Sequence, residues 1–231
     1  MKSIQTLFDK VEHLKYPETM KCVKGEIKRI AFFPGGKGTF DMTKDLSGKN
    51  IMILGQDFDC EKNYNKSLEN GTEDIQKNPT WRNLIAFLKN VNIEPTDCFF
   101  TNAIMGIRKG NIGTGKSPAF KDKTYLEECR NFFLSQLELQ KPKAIFVLGK
   151  YVAEFLSPMS DDLSNWKTIK NFVSIDSQNL AVVKNVNFKN NVKTNLVLLT
   201  HPSFRPSNIE RRSYKNLSGN EAEMLMINEI K

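Results

Sequence analysis

The residues able to do chemistry in this chain gather at the ends of apolar runs. Gly55-Gln56-Asp57 follows "NIMIL", Asn102 closes "CFFTN", and His201-Pro202-Ser203 follows "NLVLLT". A carboxylate such as Asp57, just past a buried strand, can orient a water or stabilise a developing cation. It can equally cap the next turn, a common place for aspartate. Asn102 stands among aromatic and small apolar residues, where an unpaired amide would cost about 1–3 kcal/mol. Its donor pair and acceptor match the edge of a pyrimidine; an internal hydrogen bond at the strand end is its other use. Proline after His201 biases the histidine away from helix and aims the imidazole out of the strand end, toward chemistry or toward a turn cap. A fourth stretch, Gly110–Ser117 "GNIGTGKS", satisfies G-x-x-x-x-G-K-[ST], the pattern of a loop that cradles nucleotide phosphates.

These groups act together only if the elements beneath them end at one edge. Continuous apolar runs at Asn50–Gly55, Cys98–Ala103, Lys143–Gly149 and Asn195–Thr200 suit strands buried on both faces of a parallel sheet. Helical periodicity lies between them. "PTWRNLIAFLKNV" has Thr80 as an N-cap and Trp81, Leu84, Ile85 and Leu88 on one face. "DKTYLEECRNFFLSQLELQ" spaces Leu126, Cys129, Phe133 and Leu137 in the same way, and "GKYVAEFLS" opens a third helix. The alternation predicts an α/β fold: a single three-layer domain over 1–231, with a central four-stranded, mainly parallel sheet flanked by helices. The polar stretch 158–192 reads as an insertion, with "VKNVNFKNNVK" as a hairpin. In such sheets the ligand sits at the carboxyl ends of the strands, where all the clusters above converge.

Composition narrows the partner. A net charge of +8 and a pI near 9.2 favour polyanions through phosphate neutralisation and counterion release. No run approaches the roughly 18 apolar residues of a membrane span, and the charged N-terminal stretch lacks the apolar centre of a secretory signal. A soluble, intracellular protein is expected, cytoplasmic or nuclear, with no membrane partner. Four cysteines without a C-x-x-C, and two histidines, predict free thiols in a reducing compartment and no metal site.

G-Q-D after the first strand, asparagine at the end of the second and H-P-S after the last, in this order over Asn50–Asn208, resemble the uracil-DNA glycosylase superfamily. The middle, from Thr101 to Leu156, also looks like the thermostable, iron–sulfur-containing branch. The resemblance implies a monofunctional hydrolase of base excision repair. It would act as a monomer on DNA containing a damaged base, uracil foremost. It implies that Asp57 orients water and stabilises the sugar cation, and that Gln56 helps hold the base through its backbone. Asn102 would read the uracil edge, and His201 would hydrogen-bond the departing base. Arg205 falls where the family drives a wedge into the DNA stack, with Phe204 beside it and Ser203 in the same loop. Such an enzyme flips its base out of the helix and needs a ring to stack on it. Trp81 and Phe58 are the candidates, and Trp81 suits the core equally well. Lys116, Arg211 and Arg212 are candidates for contacts with the DNA backbone; the last two equally suit a solvated helix start.

The chain departs from the family pattern in two places. "GQDFD" replaces G-Q-D-P-Y, so Asp59 stands where a tyrosine would shield the pocket from a thymine methyl, and the excised base is left open. Of the branch's cysteines only Cys129 has a match, so neither a cluster nor any other cofactor is expected. Two rival readings remain: a catalytically silent DNA-binding member of the fold, and a nucleotide-binding protein using Gly110–Ser117. A phosphate loop follows its strand closely and opens straight into a helix. Here "IRKG" intervenes and the helix is expected near Asp122, so the stretch reads instead as a mobile, basic loop beside the pocket.

Overall fold

The computed structural model describes residues 4–41 and 49–231. In chain order the elements are α1 (Ile4–Glu12), β1 (Met20–Cys22), β2 (Ile51–Gly55), α2 (Glu61–Asn70), α3 (Pro79–Asn90), β3 (Cys98–Asn102) and β4 (Gly106–Arg108). They continue with α4 (Lys123–Gln140), β5 (Ala144–Leu148), α5 (Lys150–Leu156), α6 (Phe172–Asp176), β6 (Val182–Asn187), β7 (Lys193–Leu199), α7 (Arg205–Asn208) and α8 (Gly219–Asn228). The central sheet has the order β3-β2-β5-β7-β6. Its first four strands are parallel, and β2, β3 and β5 are buried along their whole length. Burial on both faces is why their sequences are apolar without alternation.

The sheet has one strand more than the four expected. β6 pairs antiparallel with β7 at the edge, with a bulge between Val183 and Val186. An edge strand exposes one side to water, so lysine and asparagine are tolerated and no apolar run announces it. Within the stretch read as an insertion, this strand completes the sheet, and Leu163, Trp166 and Ile175 join the core.

Helix ends follow local chemistry. The N-cap of α3 is Asn78 rather than Thr80: its side chain accepts from the Thr80 N–H at 2.9 Å, and Pro79 takes the first helical position, where a missing N–H costs nothing. Asp122 caps α4 by accepting from the Tyr125 N–H at 2.9 Å. On α3, Phe87 takes a buried place beside Trp81, Leu84 and Leu88, while Ile85 is only partly buried. α4 packs against α1 and α5, and α8 against β7. No helix among the described residues is long and apolar enough to cross a membrane.

The order of the strands locates the site. The chain leaves β2 for β3 on one side and leaves β5 for β7 on the other, so a crevice opens between the carboxyl ends of β2 and β5. Register levels these ends: Gly55 lies opposite Asn102, and Leu148 opposite Leu199. The residues that follow, Gln56-Asp57 and Thr200-His201, are therefore delivered to one place.

Candidate functional site

A cleft of about 910 Å³ lies over this crevice, and Asp57, Asn102 and His201 all line it. Asn102 is 4% exposed, and among the described residues its amide has no hydrogen-bond partner in the protein. Gly55 makes room for it. A Cβ at position 55 would fall 2.2 Å from Asn102 Oδ1, so any other residue there would drive the amide from its place. A buried amide left without a protein partner costs about 1–3 kcal/mol unless a ligand or water satisfies it.

His201 is held in one tautomer. It caps the turn Pro202–Phe204, its Nδ1 accepting from the Ser203 N–H at 3.3 Å and lying 2.8 Å from Ser203 Oγ. A backbone N–H can only donate, so Nδ1 is unprotonated and the ring proton resides on Nε2. Burial, with the Arg108 charge adding to it, pushes the imidazole down to about 4, so His201 is neutral at pH 7. The turn is fixed from behind: Asn83 Nδ2 donates to Pro202 O at 2.8 Å and the Thr200 N–H donates to Glu223 Oε1 at 2.7 Å.

Asp57 faces an arginine that the sequence reading passed over. Arg108 Nε donates to Asp57 Oδ2 at 2.6 Å, and both side chains are 4% exposed. Burial pushes the Asp57 carboxyl above its ordinary range, and the Arg108 charge and hydrogen bond oppose that push. The other end of the guanidinium holds Gly110–Ser117: Nη1 donates to Thr114 O at 2.7 Å and Nη2 to Gly115 O at 2.9 Å. Gln56 holds the same loop with its side chain, donating to Gly115 O at 3.0 Å and accepting from the Ser117 N–H at 3.2 Å. Gly113 packs so closely on Asp59 that a Cβ there would lie 1.5 Å from Asp59 Oδ1. The segment thus turns carbonyl oxygens inward, onto a cation. A phosphate cradle needs N–H groups there, and a short 3-10 turn, Pro118–Lys121, intervenes before α4. The phosphate-loop reading therefore fails on geometry, and the loop is tied down at several points.

The basic residues expected to face DNA divide sharply. Arg205 is inward, 8% exposed, donating to Thr200 Oγ1, Asn220 Oδ1 and Glu223 and lying 3.7 Å over the Phe87 ring. It is not free to enter a DNA stack, whereas Phe204 beside it is 48% exposed and borders the cleft. Arg212 is 1% exposed and ion-paired with Asp176 and Glu223; a buried, fully paired guanidinium cannot reach a phosphate. Arg211 stays exposed at the cleft edge. Lys116 is engaged with Glu154 at 2.6 Å and lies 4.6 Å from the centre of the Phe120 ring. Trp81 adjoins the cleft but is 1% exposed, its ring against Phe32, Phe40 and Phe100. It is core, with no face left for a base. Phe58 borders the cleft, edge-on to Tyr64.

Sequence reasoning missed Arg108, Glu73 and Glu223. Glu73 borders the cleft, accepts from the Trp81 indole N–H, and is pushed by burial up to about 7. The one signal for Arg108 was its position six residues past Asn102, in a stretch taken as a charged spacer. The first two residues of that stretch lie in β4, which pairs with β1 and runs beside the Asp57 loop: the Arg108 N–H donates to Asp59 O at 2.9 Å.

All four cysteines are free, and no three His, Cys, Asp or Glu side chains converge as a metal-ligand set among the described residues. The residues present therefore do not fit an iron–sulfur cluster. Among curated proteins, none matches this sequence. A family model of the uracil DNA glycosylase superfamily does match, over residues 46–219. The matched span carries Gly55–Asp57, Asn102 and His201 on the elements just described, and the chain belongs to that superfamily.

Proposed function

We propose that this protein is a monofunctional DNA glycosylase, taking uracil or a similarly damaged base flipped out of DNA and hydrolysing its N-glycosidic bond. Membership of the superfamily supports glycosylase-type chemistry in general. The observation that carries the specific reading is the convergence of a partnerless amide, a neutral imidazole with its proton on Nε2, and a buried carboxyl in one cleft.

Each group has a place in the reaction. As the bond from the sugar to the base breaks, its electron pair leaves with the base and the sugar gains oxocarbenium character. The Asp57 carboxylate stabilises that cation; His201 Nε2–H donates to the oxygen on which the base's negative charge gathers. Asn102, with donors and an acceptor free, reads the edge of the base. Water adds to the sugar carbon, and its proton ends on the base nitrogen. Preorganised groups of this kind are each worth about 10²–10³ in rate. Phe204 stands where a wedge would enter the stack, with Arg211 in reach of the backbone.

The test is incubation with labelled oligonucleotides bearing uracil, thymine mispairs, hypoxanthine or oxidised pyrimidines, followed by alkali. Abasic sites are expected from uracil, and Asp57→Asn should lower their formation about 10²–10³-fold while leaving DNA binding intact. Binding without release from any of these bases would favour the catalytically silent reading.

A further inference from the structure

Arg108 is a buried cation inside the cleft that the chemistry above does not use. We propose that Arg108 is a positioning residue, seating the Asp57 carboxylate and locking the 110–117 loop over it through one guanidinium. The inference rests on the glycosylase reading for its kinetic consequences alone.

The geometry is specific to arginine. The planar fork offers five N–H groups in fixed directions. Its Nε edge meets Asp57, and its two amino ends meet the carbonyls of Thr114 and Gly115. Both ends of the bridge are anchored. The backbone of Arg108 is bonded to the Asp57 loop through Asp59 O, and the loop beyond is held again by Gln56. A lysine would bring a single point charge, unable to meet a carboxylate and two carbonyls in one plane.

The pair also sets when Asp57 is charged. The groups around its carboxyl are Arg108 from β4, the backbone N–H of Asp59, which donates to Asp57 Oδ1 at 3.3 Å, and Ser117, whose hydroxyl is buried beside it. Across the cleft stands His201, which feels the same arginine. Burial alone would favour the neutral acid; an adjacent guanidinium lowers an aspartate by about 1–3 pH units. Stabilising a sugar cation requires the ionised form. Losing the arginine charge must therefore raise the Asp57 titration and carry the acid limb of the pH–rate profile to higher pH. A residue serving the fold alone would scale the whole profile without moving it.

The test compares Arg108→Gln and Arg108→Lys with wild type, using pH–rate profiles on a uracil oligonucleotide and a carbon-13 NMR titration of labelled aspartate. The Asp57 resonance is assigned by its loss in Asp57→Asn. In R108Q both the acid limb and the resonance should move up by about 1–3 units. R108K keeps the charge, so the limb should stay near wild type. KM should nevertheless rise about 3- to 10-fold as a loop contact is lost, and trypsin should cut at Lys109 or Lys116 sooner. An Asp57 titration unmoved in R108Q overturns the proposal. If R108Q does not fold, R108K decides: a loop as protease-resistant as wild type, with KM unchanged, overturns the lock. Wild type releasing no base while R108Q shifts the Asp57 resonance would sink the glycosylase reading alone.

Discussion

Behind the His201 turn, Arg205, Arg212, Asp176 and Glu223 form a closed set of charges; in the cleft, Asp57 and Arg108 form an open one. In the closed set two cations meet two anions. Glu223 accepts from both arginines and from the Thr200 N–H, while Asp176 takes Arg212 Nε at 2.8 Å, Arg212 Nη2 at 3.0 Å and the Ser213 N–H at 3.0 Å. Arg212 also donates to Leu198 O at 3.0 Å and lies 4.6 Å over the Phe172 ring. The donors are directed into the fold, and a ligand has nothing to bind. Around the open pair, by contrast, the Asn102 amide and His201 Nε2 are left over, in a cleft large enough for a nucleotide. Buried charge serves architecture where it is fully matched, and chemistry where polar groups beside it remain unmatched.

Breaking the closed set should give the largest effect. Glu223→Ala leaves two buried guanidinium groups short of a counter-charge and should cost about 3–5 kcal/mol, read as a lower urea midpoint. An unfolding free energy within about 1 kcal/mol of wild type would mean that water compensates the arginines and the set is not closed. Phe204→Ala is next. Its ring is half exposed, so the midpoint should hold, while affinity for damaged DNA falls by about 1–3 kcal/mol, the worth of one base–aromatic stack. Equal loss in Arg205→Ala, without unfolding, would return the wedge to Arg205. Asn102→Ala should change stability by under about 1 kcal/mol by urea titration, because no protein hydrogen bond is lost. A loss as large as that of Glu223→Ala would show that the amide belongs to the architecture after all.

What the sequence made legible follows the same division. Four parallel strands declare themselves because burial on both faces forces continuous apolar runs, and their ends place Asp57, Asn102 and His201 without further knowledge. β6 shows itself only as one arm of the hairpin read at "VKNVNFKNNVK"; its membership of the central sheet stays hidden because a bulged edge strand has no such constraint. The choice between Phe204 and Arg205, or Arg211 and Arg212, depends on which arginine meets Glu223 or Asp176. Those carboxylates lie 18 and 36 residues away, where local pattern carries no information. Arg108 is hidden for a like reason: its task arises from β4 folding back on β1 and on the Asp57 loop. "GNIGTGKS" is the opposite case, a perfect local pattern whose carbonyls turn out to face a cation.

The tie from Thr200 to Glu223 has a consequence for the order in which the molecule comes into being. During synthesis the emerging chain acquires Asp57, Asn102 and Arg108 early, yet the turn bearing His201 is seated by a glutamate on α8, 23 residues further on. A chain made only as far as β5 contains the carboxylate and the amide, but it lacks the imidazole and its brace. The brace of the His201 turn is therefore complete only once α8 has packed on β7.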